Sequence, residues 1–327
     1  MTLLQTLRNK IASRKFHAHY LADQPVDLLN ISEFRAEAFP PSGPACWLDQ
    51  PDGLLQVDRR ELSGEITPYQ AEICRRWIFD GYIIVKGLID HADLDETWAA
   101  YERAIAAGVI TVNHEPEGPD DPHPGRRLDP HLQVLEIRKL QRHPKILELT
   151  DLLFGRRTLP FQTIMGHKGS SQSPHSDTIH MTTYPHGYLI ANWIAFEDID
   201  PDSGPLEFYA GSHRLIPPLL SHHLSIWPGE FKKNANVYHE KYEPAVRRHL
   251  EVARLEPKLF LCEKGDVLFW HADLIHGGAR RRNLHLSRKA LVCHYFAQGA
   301  LTYHDLSGNL TRLHRNGLYA PPVMDET

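Results

Sequence analysis

From Leu159 onward the chain reads as short apolar runs cut apart by Gly, Pro, Ser and Asp, and this rhythm restricts the fold more than any other feature. The runs are Phe161 to Met165, Tyr188 to Phe196, Leu206 to Tyr209, Leu259 to Cys262, Val267 to Trp270 and Ala290 to Phe296. Each is shorter than an ordinary helix and is bounded by turn residues. Many short strands with turn signals specify a sandwich or a barrel. Residues 215 to 257 interrupt the rhythm with an aromatic and basic mixture (Trp227, Phe231, Tyr238, Tyr242, Arg247, Arg248) and a helical stretch near Pro244 to Arg254. They are expected as an insertion over one mouth of the barrel.

Before residue 159 the pattern is mainly helical. Thr67-Pro68-Tyr69-Gln70 supplies a hydroxyl at the cap, Pro at the first helical position and Gln three residues on. This opens a helix predicted to run to Asp80 and to stop at Gly81. Tyr82-Ile83-Ile84-Val85 follows as a strand. A second helix is predicted over Ala92 to Ala107, with Leu94, Trp98, Tyr101 and Ile105 near one face, and a third over Pro144 to Phe154, closed by Gly155. Residues 21–66, rich in Pro, Gly and Asp, read as an irregular arm. Residues 113–130 hold five prolines, so no element is expected to persist there, and a loop of this length suits a cover over a site. The chain is read as one domain over 1–327: an arm (1–66), a helical flank (67–158), a β core (159–300) carrying the 215–257 insertion, and a C-terminal tail (301–327).

Composition removes several classes of function. A net charge of −5 gives no general attraction to nucleic acid. No apolar run approaches the roughly 18 residues needed to span a bilayer. Cys46, Cys74, Cys262 and Cys293 lie far apart with no Cys-x-x-Cys pair, which argues against a disulfide framework and a thiolate zinc site and fits a reducing compartment. The N-terminus lacks a signal-peptide core. Residues 1–20 carry a basic amphipathic pattern that suits a short surface helix, although Lys10-Ile11 with His17-Ala18 also matches the degenerate peroxisomal N-terminal pattern. The expectation is a soluble, cytoplasmic protein; nothing in the sequence encodes its oligomeric state.

Against this background Ser173-Pro174-His175-Ser176-Asp177 stands out. On a strand, residues two apart project from one face, so the His175 imidazole and the Asp177 carboxylate could hold one cation between them. A third ligand must come from elsewhere. His276, 99 residues beyond Asp177, is the candidate. Two histidines and one carboxylate form a face that leaves three positions of an octahedral iron(II) open. Spacing alone does not choose, because His-x-Asp occurs three times, at His91/Asp93, His175/Asp177 and His271/Asp273, in a chain with 22 histidines. His91/Asp93 falls in the first turn of the second predicted helix, where an acidic residue serves the helix dipole, and is read as structural.

The blocks ITPYQ...FDGYIIVKGLI, PHSD, NWIAFEDIDPDSGPLEFYAGSHR and KGDVLFWHADLIHGGARRRN...SRKALVCHYF, in that order, resemble the phytanoyl-CoA dioxygenase family of iron(II) and 2-oxoglutarate dependent oxygenases. The resemblance implies a mainly β protein with a double-stranded β-helix core, a jelly roll of the cupin type, and N-terminal helices packed outside. It implies iron on His175, Asp177 and His276. It makes Arg288, twelve residues past His276, the anchor for the far carboxylate of 2-oxoglutarate, a task suited to a planar guanidinium that offers two parallel hydrogen bonds. Gln162 and Trp193 match positions that line the cosubstrate pocket in the family, though Trp193 reads equally well as core. Asn192 and Thr178 are weaker candidates for polar contacts in the pocket, since strand or turn polarity explains them as well. His271 and Asp273 flank the distal ligand and are expected to support it, to touch substrate or to serve structure. Gly211-Ser212-His213-Arg214 reads as a tight turn. His167, His180, His186 and His285 receive no role.

The implied reaction takes iron(II) as cofactor and 2-oxoglutarate and O2 as cosubstrates, releases succinate and carbon dioxide, and hydroxylates a C–H bond of a small-molecule substrate. Related halogenases leave the carboxylate position as Ala or Gly, so Asp177 favours hydroxylation. The family name does not fix the substrate. A CoA ester requires a site for phosphates, and Arg280-Arg281-Arg282 is the one dense basic run, of a kind that is commonly a solvated turn. Two rivals come from other classes: a jelly roll that binds metal and a small molecule without turnover, and a cupin-like metalloenzyme using zinc or manganese.

Overall fold

The computed structural model describes residues 11, 31–39, 46–313 and 319–320. Apart from Ile11, the amphipathic pattern of residues 1–20 and its peroxisomal match lie outside the described residues.

Among residues 46–157 five α-helices precede the main strands. α1 (Gly53–Leu62) corrects the reading of residues 21–66 as irregular. Its buried residues are Gly53 and Val57, so it offers no apolar stripe for periodicity to reveal. Arg75, donating from the next helix to Asp58 and Glu61, ties it down. α2 (Pro68–Asp80) begins at the expected capping box, in which Thr67 Oγ1 accepts from the Gln70 N–H and the Gln70 side chain accepts from the Thr67 N–H. It ends at Gly81, whose φ of 75° lies in the left-handed region. α3 (His91–Ala106) and α5 (Pro144–Phe154) fall within a residue of their predicted limits. Between them α4 (Leu135–Gln141) was not foreseen; it is short and has no side-chain cap.

The β core begins with a six-stranded antiparallel sheet. In spatial order it contains β1 (Tyr82–Val85), β8 (Val267–His271), β5 (Leu189–Ala195), β10 (Ala290–Ala297), β3 (Thr158–Gly166) and β2 (Arg126–Leu128). Two three-stranded groups complete the core. One is β7 (Lys258–Leu259), β6 (Leu206–Phe208) and β9 (His276–Gly278); the other is β12 (Asn309–Leu310), β11 (Leu301–His304) and β4 (Thr182–Tyr184). Both faces of the large sheet are covered. On β5, Ile190 and Ile194 join the helical layer, while Ala191, Trp193 and Ala195 pack inward with Leu206 and Phe208. Burial on both faces explains why this strand reads as a nearly unbroken apolar run. The result is the jelly roll with external helices.

Two departures bear on the site. β2 lies inside the proline-rich stretch 113–130 that was expected to hold no element. It pairs Arg126 with Gly166 and Leu128 with Ile164 at the sheet edge, where proline neighbours are tolerated. Strand pairing also continues past residue 300, where a tail was expected, because β11 pairs with β4. The segment 215–257 forms α6 (Pro228–Lys233), a π-helical turn (Tyr238–Tyr242) and α7 (Glu243–Ala253). These share an apolar cluster with Ile179 and Ile275, beside the two ligand-bearing segments. All four cysteines are free and buried. Among the described residues no helix is long and apolar enough to cross a membrane.

Candidate active site

His175 does not sit in a regular strand, and the expectation that two ligands share one strand face is corrected. His175 forms an isolated antiparallel bridge with His276: its N–H donates to His276 O at 2.8 Å, and the His276 N–H donates back to His175 O at 2.9 Å. Pro174, lacking an N–H, cannot extend that ladder. Asp177 then opens a short 3-10 turn, Asp177–Ile179. The close approach also explains the glycines after His276. A Cβ on Gly277 would come within 2.7 Å of Gln172 O.

The bridge and the turn bring three buried donors together. Asp177 Oδ1 lies 4.0 Å from His175 Nε2 and 3.7 Å from His276 Nε2, and one ligand atom from each residue falls within 4.8 Å of the others. Each imidazole turns its Nδ1 to the carbonyl two residues earlier, His175 to Ser173 O and His276 to Leu274 O, both at 2.9 Å. An Nδ1–H donor leaves the Nε2 lone pair as an acceptor, and on His175 it faces the Gln172 side-chain amide at 3.1 Å, a contact that a bound cation would replace. Burial, reinforced by His276, pushes His175 down to about 3, which keeps it neutral. Burial opposes the charge on Asp177, but His276, His294 and His175 hold it below the usual carboxylate range. Its Oδ2 accepts the Trp270 indole N–H at 2.8 Å and faces His294 Nε2 at 3.6 Å. Oriented imidazole lone pairs around a carboxylate with a bonded outer oxygen fit a divalent cation such as iron(II).

These residues open on a cavity of about 400 Å³ that Arg288, Gln162 and Trp193 also line. Arg288 is buried and donates one N–H to Gly204 O at 3.2 Å. Its Nε and the Trp193 Nε1 are buried without a hydrogen-bond partner among the described residues. Its guanidinium carbon lies 5.7 Å from the Trp193 ring centre. Burial, with Arg281 and Arg126 nearby, pushes Arg288 down to about 10. No carboxylate among the described residues pairs with it. Asn192 and Thr178, in contrast, are not in the cavity. Asn192 points to the helical side and donates to Tyr295 Oη at 3.4 Å; Thr178 donates to Asp273 Oδ1 at 2.5 Å.

Several cavity residues were given no site role by the sequence reading, among them Arg126, His180 and His304. Arg126, on the unforeseen β2, has its Nη1 2.8 Å from His123 Nδ1 and is pushed down to about 10 by burial. Alternation of Arg126 and Leu128 toward one face was the available signal, masked by the surrounding prolines.

The arginine run makes its contacts with the chain itself, Arg281 in the interior and Arg280 and Arg282 at the exposed surface. Arg281 is buried and donates to the carbonyls of Gly169, Gly118 and Asp121. Arg280 pairs with Asp120 at 2.8 Å, and Arg282 lies 3.6 Å from Asp202. With His123 N–H on Ser170 O and the Ser171 hydroxyl on Pro119 O, both at 2.8 Å, these bonds make the 113–130 loop a tethered wall of the cavity. His271 and Asp273 also lie outside the cavity, in a buried network. Asp273 Oδ2 is 2.6 Å from His186 Nε2, and His271 Nε2 is 3.3 Å from Asp49. His213 lies against His271 at a ring distance of 5.3 Å, and His167 bonds Glu115 at 2.8 Å.

Fold and site together define a jelly-roll protein in which two histidines and a carboxylate are close enough that they could hold one cation. The family model matching residues 79–290 is described as phytanoyl-CoA dioxygenase (PhyH), and the chain belongs to that family. It is a dioxygenase-type enzyme. The peroxisomal phytanoyl-CoA dioxygenase of Rattus norvegicus is 26% identical over 285 residues, which span 81% of this chain and 78% of that relative. Among solved structures, the nogalamycin-biosynthesis epimerase SnoN, in complex with Fe3+, alpha ketoglutarate and nogalamycin RO, gives a TM-score of 0.53 at 21% identity, over 71% of this chain and 85% of its own. The alpha ketoglutarate dependent carbocyclase SnoK from the same biosynthesis gives 0.56 at 15% identity, over 80% and 90%. At these identities both structures bear on the fold alone.

Proposed function

We propose that this chain is an Fe(II) and 2-oxoglutarate dependent dioxygenase that hydroxylates a C–H bond of a small organic molecule, with release of succinate and carbon dioxide. His175, Asp177 and His276 would hold the iron, and Arg288 would grip the C5 carboxylate of 2-oxoglutarate beside Trp193 and Gln162. One observation carries the reading: a buried guanidinium without a carboxylate partner shares a cavity with the three-donor cluster. A charge buried without its counterion is costly, so a dianionic cosubstrate is its natural complement. Iron with chelated 2-oxoglutarate supplies the activation of O2. The residues of the chain supply orientation. The Nδ1 bonds and the Trp270 N–H fix the ligands, Arg288 and the free Trp193 N–H align the cosubstrate, and Ile164 and Val292 help keep the wall apolar.

SnoN is an epimerase and SnoK a carbocyclase, so the fold is compatible with several outcomes. Asp177 favours hydroxylation, since it fills the position at which halogenases admit a halide. The relatives named for phytanoyl-CoA raise the question of a CoA-linked substrate. Commitment of Arg280, Arg281 and Arg282 to acidic and carbonyl partners supports a substrate without CoA. Anaerobic titration of the apoprotein with Fe(II) and 2-oxoglutarate should give the weak visible charge-transfer absorption of the chelated pair. Arg288→Gln should shift the 2-oxoglutarate midpoint upward by about tenfold to a hundredfold. A well-folded wild-type protein that never shows the band refutes the reading.

A further inference from the structure

The cavity wall carries two imidazoles that the proposed chemistry does not use, His180 and His304. Their rings stack at a centroid distance of 5.7 Å and an interplanar angle of 18°. His180 lies one ring away from the ligand His175, at 6.1 Å, and Tyr238 of the π-helical turn stands 5.0 Å from it. Phe231 of α6 lies 5.7 Å from His304, and Met181 lines the same cavity. His304 comes from β11, beyond the residues 79–290 that the family model matches. The insertion and the last strands therefore build this wall.

Hydrogen bonds settle what His304 can offer. Ser307 donates its N–H to His304 Nδ1 at 3.1 Å, and its hydroxyl, 2.8 Å from the same nitrogen, is then a second donor to it. An accepting Nδ1 puts the ring proton on Nε2. No side-chain hydrogen bond among the described residues engages His304 Nε2 or either ring nitrogen of His180. Burial pushes His304 down to about 4, so its ring is neutral near pH 7. A neutral N–H in a largely apolar wall suits an uncharged acceptor oxygen; a carboxylate is better matched by a guanidinium, and an ammonium offers no acceptor.

We infer that His180 and His304 form a substrate-recognition pair, holding a carbonyl or hydroxyl oxygen of an otherwise apolar substrate whose body lies against Phe231 and Met181. The pair stands beside His175, so a substrate docked there presents a neighbouring carbon to the ligand face. This deepens the proposed function and rests on it.

The test uses the full chain loaded anaerobically with Fe(II) and 2-oxoglutarate, with 2-nonanone, 2-nonanol and nonylamine as probes followed by calorimetry. The ketone and the alcohol should bind saturably, and the amine about tenfold more weakly or not at all. His304→Phe should weaken the ketone by about tenfold, and His304→Gln, which keeps an N–H donor, should restore most of it. In both variants the 2-oxoglutarate charge-transfer midpoint should stay at its wild-type value. His180→Phe, on a different segment, repeats the test should His304→Phe not fold. Equal binding of ketone and amine overturns the inference. So do absent binding of both oxygenated probes by wild-type protein, unchanged ketone affinity in the Phe variants, or a parallel loss of 2-oxoglutarate affinity. Ketone binding that depends on the two histidines without any charge-transfer band would uphold the pair and refute the oxygenase reading, so the two failures are distinguishable.

Discussion

His175/Asp177 and His271/Asp273 share one spacing and have opposite surroundings. Asp177 Oδ1 faces two imidazole Nε2 atoms at 3.7 and 4.0 Å, with the imidazole protons directed away to backbone carbonyls. Asp273 has both oxygens engaged, Oδ1 by the Thr178 hydroxyl at 2.5 Å and Oδ2 by His186 at 2.6 Å. His271 is likewise consumed: in its neutral form Nδ1 accepts the Asp273 N–H at 3.0 Å, and Nε2 faces Asp49 at 3.3 Å. The first pair turns its Nε2 atoms and Oδ1 toward the cavity, where a cation can replace the Gln172 amide on His175 Nε2, and the second has spent its capacity on the fold. Residue type and spacing cannot separate these cases; unspent valence does.

The comparison breaks most sharply at the two carboxylates. Asp177→Ala should lower Fe(II) affinity by more than about a hundredfold, beyond the effect of losing an outer partner, while the chain still folds. Asp273→Ala should do the reverse. It leaves Thr178 and His186 without their shared acceptor and takes a carboxylate from beside His271, at a cost of about 3–5 kcal/mol in urea unfolding, with iron affinity changed far less. Iron binding lost in a folded Asp273→Ala protein would erase the distinction between the pairs.

The pairs also differ in how their histidines respond to pH. Burial opposes a charge on His271, but Asp49 and then Asp273 raise it to about 8. A raised pKa stabilises the fold fully below the unfolded value of about 6.5 and loses that contribution as pH rises through 8, about 2 kcal/mol in all. His175, pushed down to about 3, has the opposite sign and gives stability that is lost as pH falls below about 6.5. Asp49→Asn should therefore flatten the decline in stability between about pH 6.5 and 8 and leave the acid limb unchanged. His186, raised against its burial by Asp273, keeps a decline of its own, so an undiminished decline would place the origin outside the Asp49–His271 pair.

Local signals made much of this legible. The alternation of short apolar runs announced the β core, the Thr67 cap announced α2, and the ordered blocks pointed to the residues that share the cavity, His175, Asp177, His276, Arg288, Gln162 and Trp193. What escaped depends on tertiary partners. α1 has no apolar stripe, β2 hides between prolines, and His304 reaches the site only because β11 pairs with β4. The side on which Asn192 falls is set by register: Ala191 and Trp193 face inward on β5, so the residue between them faces the helices. A slip of one residue would exchange them, and composition does not fix that parity. The bridge between His175 and His276 was invisible for the same reason, since it joins two segments that contribute little regular strand of their own.

Trp270 links the two pairs and offers the mildest test. It precedes His271 on β8, its indole N–H donates to Asp177 Oδ2 at 2.8 Å, and its ring lies 4.8 Å from that of His276. Trp270→Phe keeps an aromatic ring against His276 and removes the donor. The carboxylate then loses one of the contacts that fix its orientation, and Fe(II) affinity should fall by about tenfold, at the low end for an outer partner of a metal ligand. Turnover at saturating iron should persist, in contrast to Asp177→Ala, because all three ligands remain. An unchanged iron affinity would shift the orienting task to His294, 3.6 Å from the same oxygen. The distinction between the pairs would then rest on the imidazole lone pairs alone, with no contribution from the indole bond behind the carboxylate.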